Sequence, residues 1–87
     1  MRNYKRNSFK EIVERIKDII SNDVDGFVLN KHVADVLNLS PNTVRVYKVK
    51  DILPYEHILE FCYKHNISFD WLVFSKEIRV KTIDVNK

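Results

Sequence analysis

The chain has 87 residues, which fits a single domain with a tail. Its single Gly and two Pro argue against an all-β fold, which needs many turns. One cysteine excludes an intrachain disulfide framework, and no apolar run approaches the roughly 20 residues needed to cross a bilayer. The formal charge of +3 suits a nucleic-acid partner, although solubility alone explains a charge of this size.

The first seven residues form a short polar arm that carries Arg2, Lys5 and Arg6. Two interpretations stay open for this arm. It is either a disordered terminus or a flexible arm that contacts phosphates or a minor groove. Because the N-terminus lacks the uninterrupted apolar core of a signal peptide, we expect a cytoplasmic location.

Ser8 and Glu11 form the capping-box pattern that begins a first helix. Apolar residues then recur at one-face helical spacing: Phe9, Ile12, Val13, Ile16, Ile19 and Ile20. This stripe predicts a core-facing helix rather than a cofactor or membrane face. The linker 21–29 follows, with a turn at Asp25-Gly26, and we expect Phe27, Val28 and Leu29 to fold back onto the core.

The stretch from Asn30 to Lys50 predicts two short helices, at about 31–37 and 41–48, separated by a tight turn. Asn30 is expected to cap the first of them. Asn38 tolerates a positive φ and so can end that helix in a left-handed cap, with Leu39 filling the gap behind it.

Ser40 is a good N-cap, and Pro41 suits the first position of the following helix, where its missing N–H does no harm. The small Ala34 lies where two crossing helices must approach closely. Together these local choices predict a helix-turn-helix unit.

Pro54 favours the start of a fourth helix, whose apolar positions include Tyr55, Ile58, Leu59 and Cys62. Asn66 should end it. Ser68 should cap a short fifth helix, whose apolar residues close the core: Phe69, Trp71, Leu72, Val73 and Phe74. The segment 77–85 alternates apolar and charged residues and predicts a strand, either frayed or paired with the same strand of a second chain.

Three blocks in register carry a resemblance to a known family: Leu39-Ser40-Pro41-Asn42-Thr43-Val44, Ile52-Leu53-Pro54-Tyr55-Glu56 and Ile67-Ser68-Phe69-Asp70-Trp71-Leu72. They resemble the helix-turn-helix DNA-binding domain of phage CI-type repressors, over roughly residues 8–75. The resemblance implies an all-α, compact five-helix, lambda-repressor-like domain that binds double-stranded operator DNA as a homodimer and regulates transcription. We assign this domain, with its basic arm, to residues 1–75, and residues 76–87 to a strand-like tail that is a candidate dimerisation element.

In such a domain the N-terminal turns of the helix 41–48 enter the major groove. The positions that face away from Val44 and Tyr47 are the expected base readers: Pro41, Asn42, Arg45, Val46 and the more peripheral Val49. Asn42 suits a bidentate contact with adenine, Arg45 one with guanine, and Val46 a thymine methyl group.

Phosphate contacts are expected around this helix. Lys31 lies at the start of the preceding helix, where backbone N–H groups also favour an anion. Lys48 and Lys50 suit the backbone of the facing strand. Ser40 belongs to the same expected DNA-binding set, and Thr43 either bonds a phosphate or helps to cap its own helix.

No metal or catalytic constellation emerges from the sequence. His32, His57 and His65 do not combine with Cys62 at ligand spacing, and neither a nucleophile turn nor a glycine-rich phosphate cradle is present. We therefore expect no enzyme and no cofactor. The alternative to a transcriptional repressor is a protein-interaction module, such as an antirepressor, built on the same scaffold.

Overall fold

A computed structural model describes residues 5–75 of the chain. Its helices are α1 (Phe9–Ile20), α2 (Asn30–Leu37), α3 (Pro41–Lys50), α4 (Tyr55–His65) and α5 (Phe69–Phe74), with a short 3-10 turn at Ser21–Asp23. The expected all-α, five-helix domain is confirmed, and the described part contains no strand. The predicted strand 77–85, its pairing between chains, and Arg2 all lie outside the described residues.

Side-chain caps set three of the helix starts. The hydroxyl of Ser8 accepts the N–H of Glu11 at 3.1 Å, that of Ser40 accepts the N–H of Thr43 at 3.1 Å, and that of Ser68 accepts the N–H of Trp71 at 3.1 Å. Each bond satisfies one of the N–H groups that a helix leaves without an internal partner. These three predicted caps are confirmed.

Left-handed residues end four of the five helices, all except α1. Asn38 (φ 60°) ends α2 and Asn66 (φ 58°) ends α4, as predicted. Asp51 (φ 57°) and Ser75 (φ 60°) end α3 and α5 in the same way. Asn and Asp tolerate this conformation better than most residues with a side chain, because their short polar groups bond locally. Ser75 is the less usual choice.

Two predicted helix starts were wrong by one residue. Asn30 is the first residue of α2 rather than its cap, and the backbone N–H of Leu29 is instead accepted by Nδ1 of His32 at 2.8 Å. Pro54 precedes α4 as its cap instead of opening it, since its ψ of 80° is not helical. α3 also runs two residues beyond the predicted end, to Lys50.

The core lies between α1 and the other helices and is wholly apolar within the described residues. The buried α1 side chains are Phe9, Ile12, Val13, Ile16 and Ile20. α2 and α3 pack closely against each other and both touch α1. Leu72 and Val73 of α5 close the core from the other side, with Phe69, Trp71 and Phe74 half-buried against it.

The expected return of the linker to the core was right for only one of its three apolar residues. Val28 packs on the core, whereas Phe27 is 90% exposed and Leu29 is 50% exposed. Successive side chains of an extended segment point to opposite sides. Because Val28 faces the core, its neighbours Phe27 and Leu29 face away from it.

Candidate nucleic-acid interface

The α2–α3 pair forms the predicted helix-turn-helix. Ala34 of α2 and Val44 of α3 are both fully buried in the core. The N–H of Leu39 bonds to the carbonyl of Ala34 at 2.8 Å, which fixes the turn. On the inner side of α3, Tyr47 meets the ring of Phe9 edge-on, with centroids 6.4 Å apart. α3 is thus held by α1 and α2 along one side.

The opposite side of α3 faces outward. Pro41, Asn42 and Arg45 are exposed, Val49 is 81% exposed, and Val46 is half-buried. Residues 42, 45, 46 and 49 follow helical one-face spacing. The structure therefore places the predicted readers together on a single outward surface, which we call the reading face.

The two polar readers are bonded to each other. Nη2 of Arg45 donates a hydrogen bond to Oδ1 of Asn42, one turn away. The sequence predicts a separate base for each residue and not this bond between them, although their spacing of three on a helix is the signal for it. The amide oxygen of Asn42 is also the acceptor that a bidentate adenine contact uses.

Thr43 supports the helix start. Its hydroxyl lies 2.8 Å from that of Ser40, and its N–H donates to the same serine oxygen. Of the two roles left open for Thr43, the structure shows the one inside the protein. Both hydroxyls lie at the edge of the reading face, with Ser40 exposed and Thr43 half-buried.

Positive charge flanks the reading face at the N-terminus of α2. Lys31 is exposed there. Lys48 is half-buried, and its Nζ lies 3.4 Å from Oδ1 of Asn30. Because α3 thereby brings Lys48 to the start of α2, two cations lie where the helix dipole also favours an anion.

Lys50 is exposed at the other end of α3 and is followed by the left-handed Asp51. Asp51 accepts the N–H of Phe9 at 2.8 Å and pairs with Arg6 at 3.2 Å. The Phe9 N–H and then the Arg6 guanidinium lower the pKa of the Asp51 carboxyl. One of the two interpretations of the N-terminal arm has Arg6 contacting DNA, but Arg6 instead joins the start of α1 to the end of α3.

Residues 5–75 contain neither a cluster of metal ligands nor a membrane-spanning helix. Across that span, no three His, Cys, Asp or Glu side chains converge as metal ligands. The described helices are too short or too polar to cross a bilayer. Nδ1 of His57 donates to the carbonyl of Leu37 at 2.8 Å, which gives this histidine a structural role between α4 and α2.

Comparison with known proteins assigns the chain to a protein family. The family model of the bacteriophage CI repressor helix-turn-helix domain matches residues 11–78, which include both α2 and α3. No curated protein and no solved structure matches the chain. The family match covers well over half of the sequence and agrees with the helix-turn-helix seen in the fold. The chain is a DNA-binding regulator in the general sense and belongs to the bacteriophage CI repressor helix-turn-helix domain family.

Proposed function

We propose that this domain represses transcription by binding a specific operator, with the N-terminal half of α3 in the major groove. The observation that supports this most is the reading face, an outward surface that joins an amide, a guanidinium and two valines. Amide and guanidinium groups suit adenine and guanine edges, and valine methyls suit thymine. The buried side of the same helix holds this surface in a fixed orientation.

The phosphate contacts in this proposal surround the reading face. Lys31 and Lys48 at the start of α2 bind one strand, and Lys50 binds the facing strand. The sequence alone groups Lys48 with Lys50, but Nζ of Lys48 lies beside Asn30 at the start of α2. Ser40 and Thr43, at the start of α3, lie close to the same backbone. Between residues 31 and 50 there are four Lys or Arg and one acid, whereas residues 51–75 hold four acids and one Lys. This asymmetry orients α3, rather than α4, toward DNA.

The Asn42–Arg45 bond links the two polar readers in this proposal. In the free protein the guanidinium is held beside the amide, so the two groups approach DNA as one unit. On binding, Arg45 turns to a guanine and frees the Asn42 oxygen for an adenine. We therefore propose that the two residues read neighbouring base pairs and that their contributions to binding are not additive.

We further propose that the domain binds as a homodimer. Helix-turn-helix dimers read two half-sites about one helical turn apart, so the symmetry of the operator mirrors that of the protein. Selection of bound sequences from random DNA tests both the specificity and the symmetry. A palindromic motif is expected, whereas a single unpaired half-site would contradict the dimer.

The same selection tests the function as a whole. If the wild-type chain enriches no motif at low salt, while a protein partner co-purifies with it, the domain is an interaction module and the proposal fails. Retention on DNA should also fall steeply as salt rises, because phosphate contacts release counterions.

A further inference from the structure

An apolar groove lies on α4, outside the α2–α3 pair. Leu59, Tyr63, Ile67 and Phe69 line it, and its volume is about 650 Å³. Leu59 is 56% exposed and Tyr63 is 88% exposed. α4 packs on α2 and α5, which leaves this side of the helix without a partner among the described residues. We call this surface the α4 groove.

The charged residues that line the α4 groove are both acidic. Glu56 and Glu60 lie one turn apart along α4, and both are exposed. Two copies packed through this surface with their α4 helices antiparallel would bring these carboxylates together on one flank, which is unfavourable. The groove instead suits an occupant that combines apolar side chains with positive charge.

Residues 76–87 have that composition. They contain four basic residues, Lys76, Arg79, Lys81 and Lys87, against the two acids Glu77 and Asp84. Ile78 and Val80 alternate with Arg79 and Lys81, so an extended segment presents two adjacent apolar side chains on one side. The long stems of Arg and Lys let their charged ends extend sideways toward a rim of carboxylates.

The connection between the domain and this segment is also long enough for the segment to reach the α4 groove. Phe69, which lines the groove, is the first residue of α5, and Ser75 follows the last residue of that helix. The start of the segment therefore lies about 9 Å along the helix from the groove. The left-handed Ser75 ends α5 and turns the chain there. Twelve extended residues reach up to about 40 Å, which is more than enough for a return to the groove.

The covalent connection favours the chain's own segment over the segment of a second copy as the occupant of the groove. A short linker holds a tethered segment at an effective concentration of about millimolar. Its own segment therefore fills the groove ahead of a second copy at ordinary protein concentrations.

We propose that the segment 76–87 docks in the α4 groove of its own chain, with Ile78 and Val80 against Leu59 and Tyr63 and with its basic residues facing Glu56 and Glu60. This inference goes beyond the proposed function and does not depend on DNA binding. It also gives the predicted strand a partner surface other than a second strand.

Nuclear magnetic resonance of the full chain tests the placement. We expect nuclear Overhauser contacts between the methyl groups of Ile78 or Val80 and the side chains of Leu59 and Tyr63. Their absence would overturn the proposal. A sample that mixes labelled and unlabelled chains identifies contacts between molecules, and contacts seen only in that experiment would assign the groove to a second copy and equally overturn it.

The thiol of Cys62 provides an independent measurement, because it lines the groove and is only 3% exposed. We expect the double variant I78D/V80D in the full chain to react with a thiol reagent at least threefold faster than the wild type at the same pH. The matched control I83D/V85D places the same charges on the opposite side of the segment and should change the rate less. Equal rates for the wild type and I78D/V80D, with unchanged circular dichroism, would contradict the docking.

Discussion

At the scale of residues, the main finding is that polar groups of the candidate site and of its surroundings are bonded to other groups of the protein. Arg45 bonds Asn42, Lys48 approaches Asn30, and Arg6 bonds Asp51. The sequence predicted which of these side chains are exposed on α3, because a helix separates its faces by position. It did not predict the Arg6–Asp51 contact, because 45 residues separate the two partners and local periodicity says nothing about such a pair.

Replacement of Asp51 by Asn should lower the melting temperature at pH 7, because the carboxylate that accepts the Phe9 N–H and pairs with Arg6 is lost. The folded-state pKa of Asp51 lies below its ordinary value of 3.8. Its stabilising effect is therefore complete above about pH 4 to 5 and is lost as the pH falls through the folded-state pKa.

Thermal unfolding at several pH values measures the pH dependence of the stabilisation by Asp51. The difference in melting temperature between wild type and Asp51→Asn should shrink as the pH falls below the ordinary carboxyl pKa of 3.8. Asp25→Asn, in the exposed linker, is the matched control and should change little. A difference that is constant from pH 7 to pH 2 would show that the charge of Asp51 is not the cause.

Replacement of Ser40 by Ala should destabilise the domain by about 1 kcal/mol, because the serine oxygen accepts the Thr43 N–H at the start of α3. Chemical unfolding measures this free energy. Ser40→Asp should restore most of it, since a carboxylate caps the same N–H and favours the helix dipole. Equal stability of wild type and Ser40→Ala would show that the cap contributes nothing.

At the scale of helices, capping residues predicted the boundaries better than apolar spacing predicted burial. Ser8, Ser40 and Ser68 mark helix starts in both the sequence and the structure. In α4, by contrast, Ile58 and Cys62 of the predicted apolar stripe are buried, while Tyr55 and Leu59 are about half exposed. A cap depends on residues within one turn. The burial of a side chain depends on which helices, distant in sequence, pack against it.

α2 packs closely on α3, and the small Ala34 lies on the buried side of α2. Ala34 is fully buried there, so Ala34→Leu should destabilise the domain by about 1–3 kcal/mol through overpacking. It should also weaken DNA binding, because the reading face moves with α3. The exposed neighbour Asp35, changed to Leu, is the control and should unfold close to wild type. Wild-type stability of Ala34→Leu would mean that the two helices do not approach as closely as described.

At the scale of the whole molecule, the described domain has two unlike sides. α3 and the start of α2 carry exposed cations, and α4 carries Glu56 and Glu60 beside an apolar groove. The sequence predicted the charge asymmetry from simple counts along the chain. The groove could not be predicted, because it forms where α4 meets the start of α5 and requires the angle between these helices.

The salt dependence of DNA binding should distinguish lysines that contact phosphates from lysines elsewhere on the surface. Loss of a phosphate-binding lysine, as in Lys31→Ala, should weaken binding to all sequences and reduce the slope of log affinity against log salt by about 1. Lys64→Ala, which removes the same charge from α4, should leave the slope unchanged. Identical slopes for wild type and Lys31→Ala would remove Lys31 from the interface.

The central claim is that the reading face, and Arg45 above all, recognises base pairs, and binding measured one base at a time tests it most directly. With the selected site and its single-base variants, Arg45→Ala should lose about 1–3 kcal/mol, roughly 5- to 150-fold, of preference for guanine at one position in each half-site. Other positions should keep their preferences, except for the pair read by Asn42. Lys64→Ala should retain the wild-type profile. An Arg45→Ala profile identical to that of the wild type, with the helical circular dichroism intact, would contradict the account.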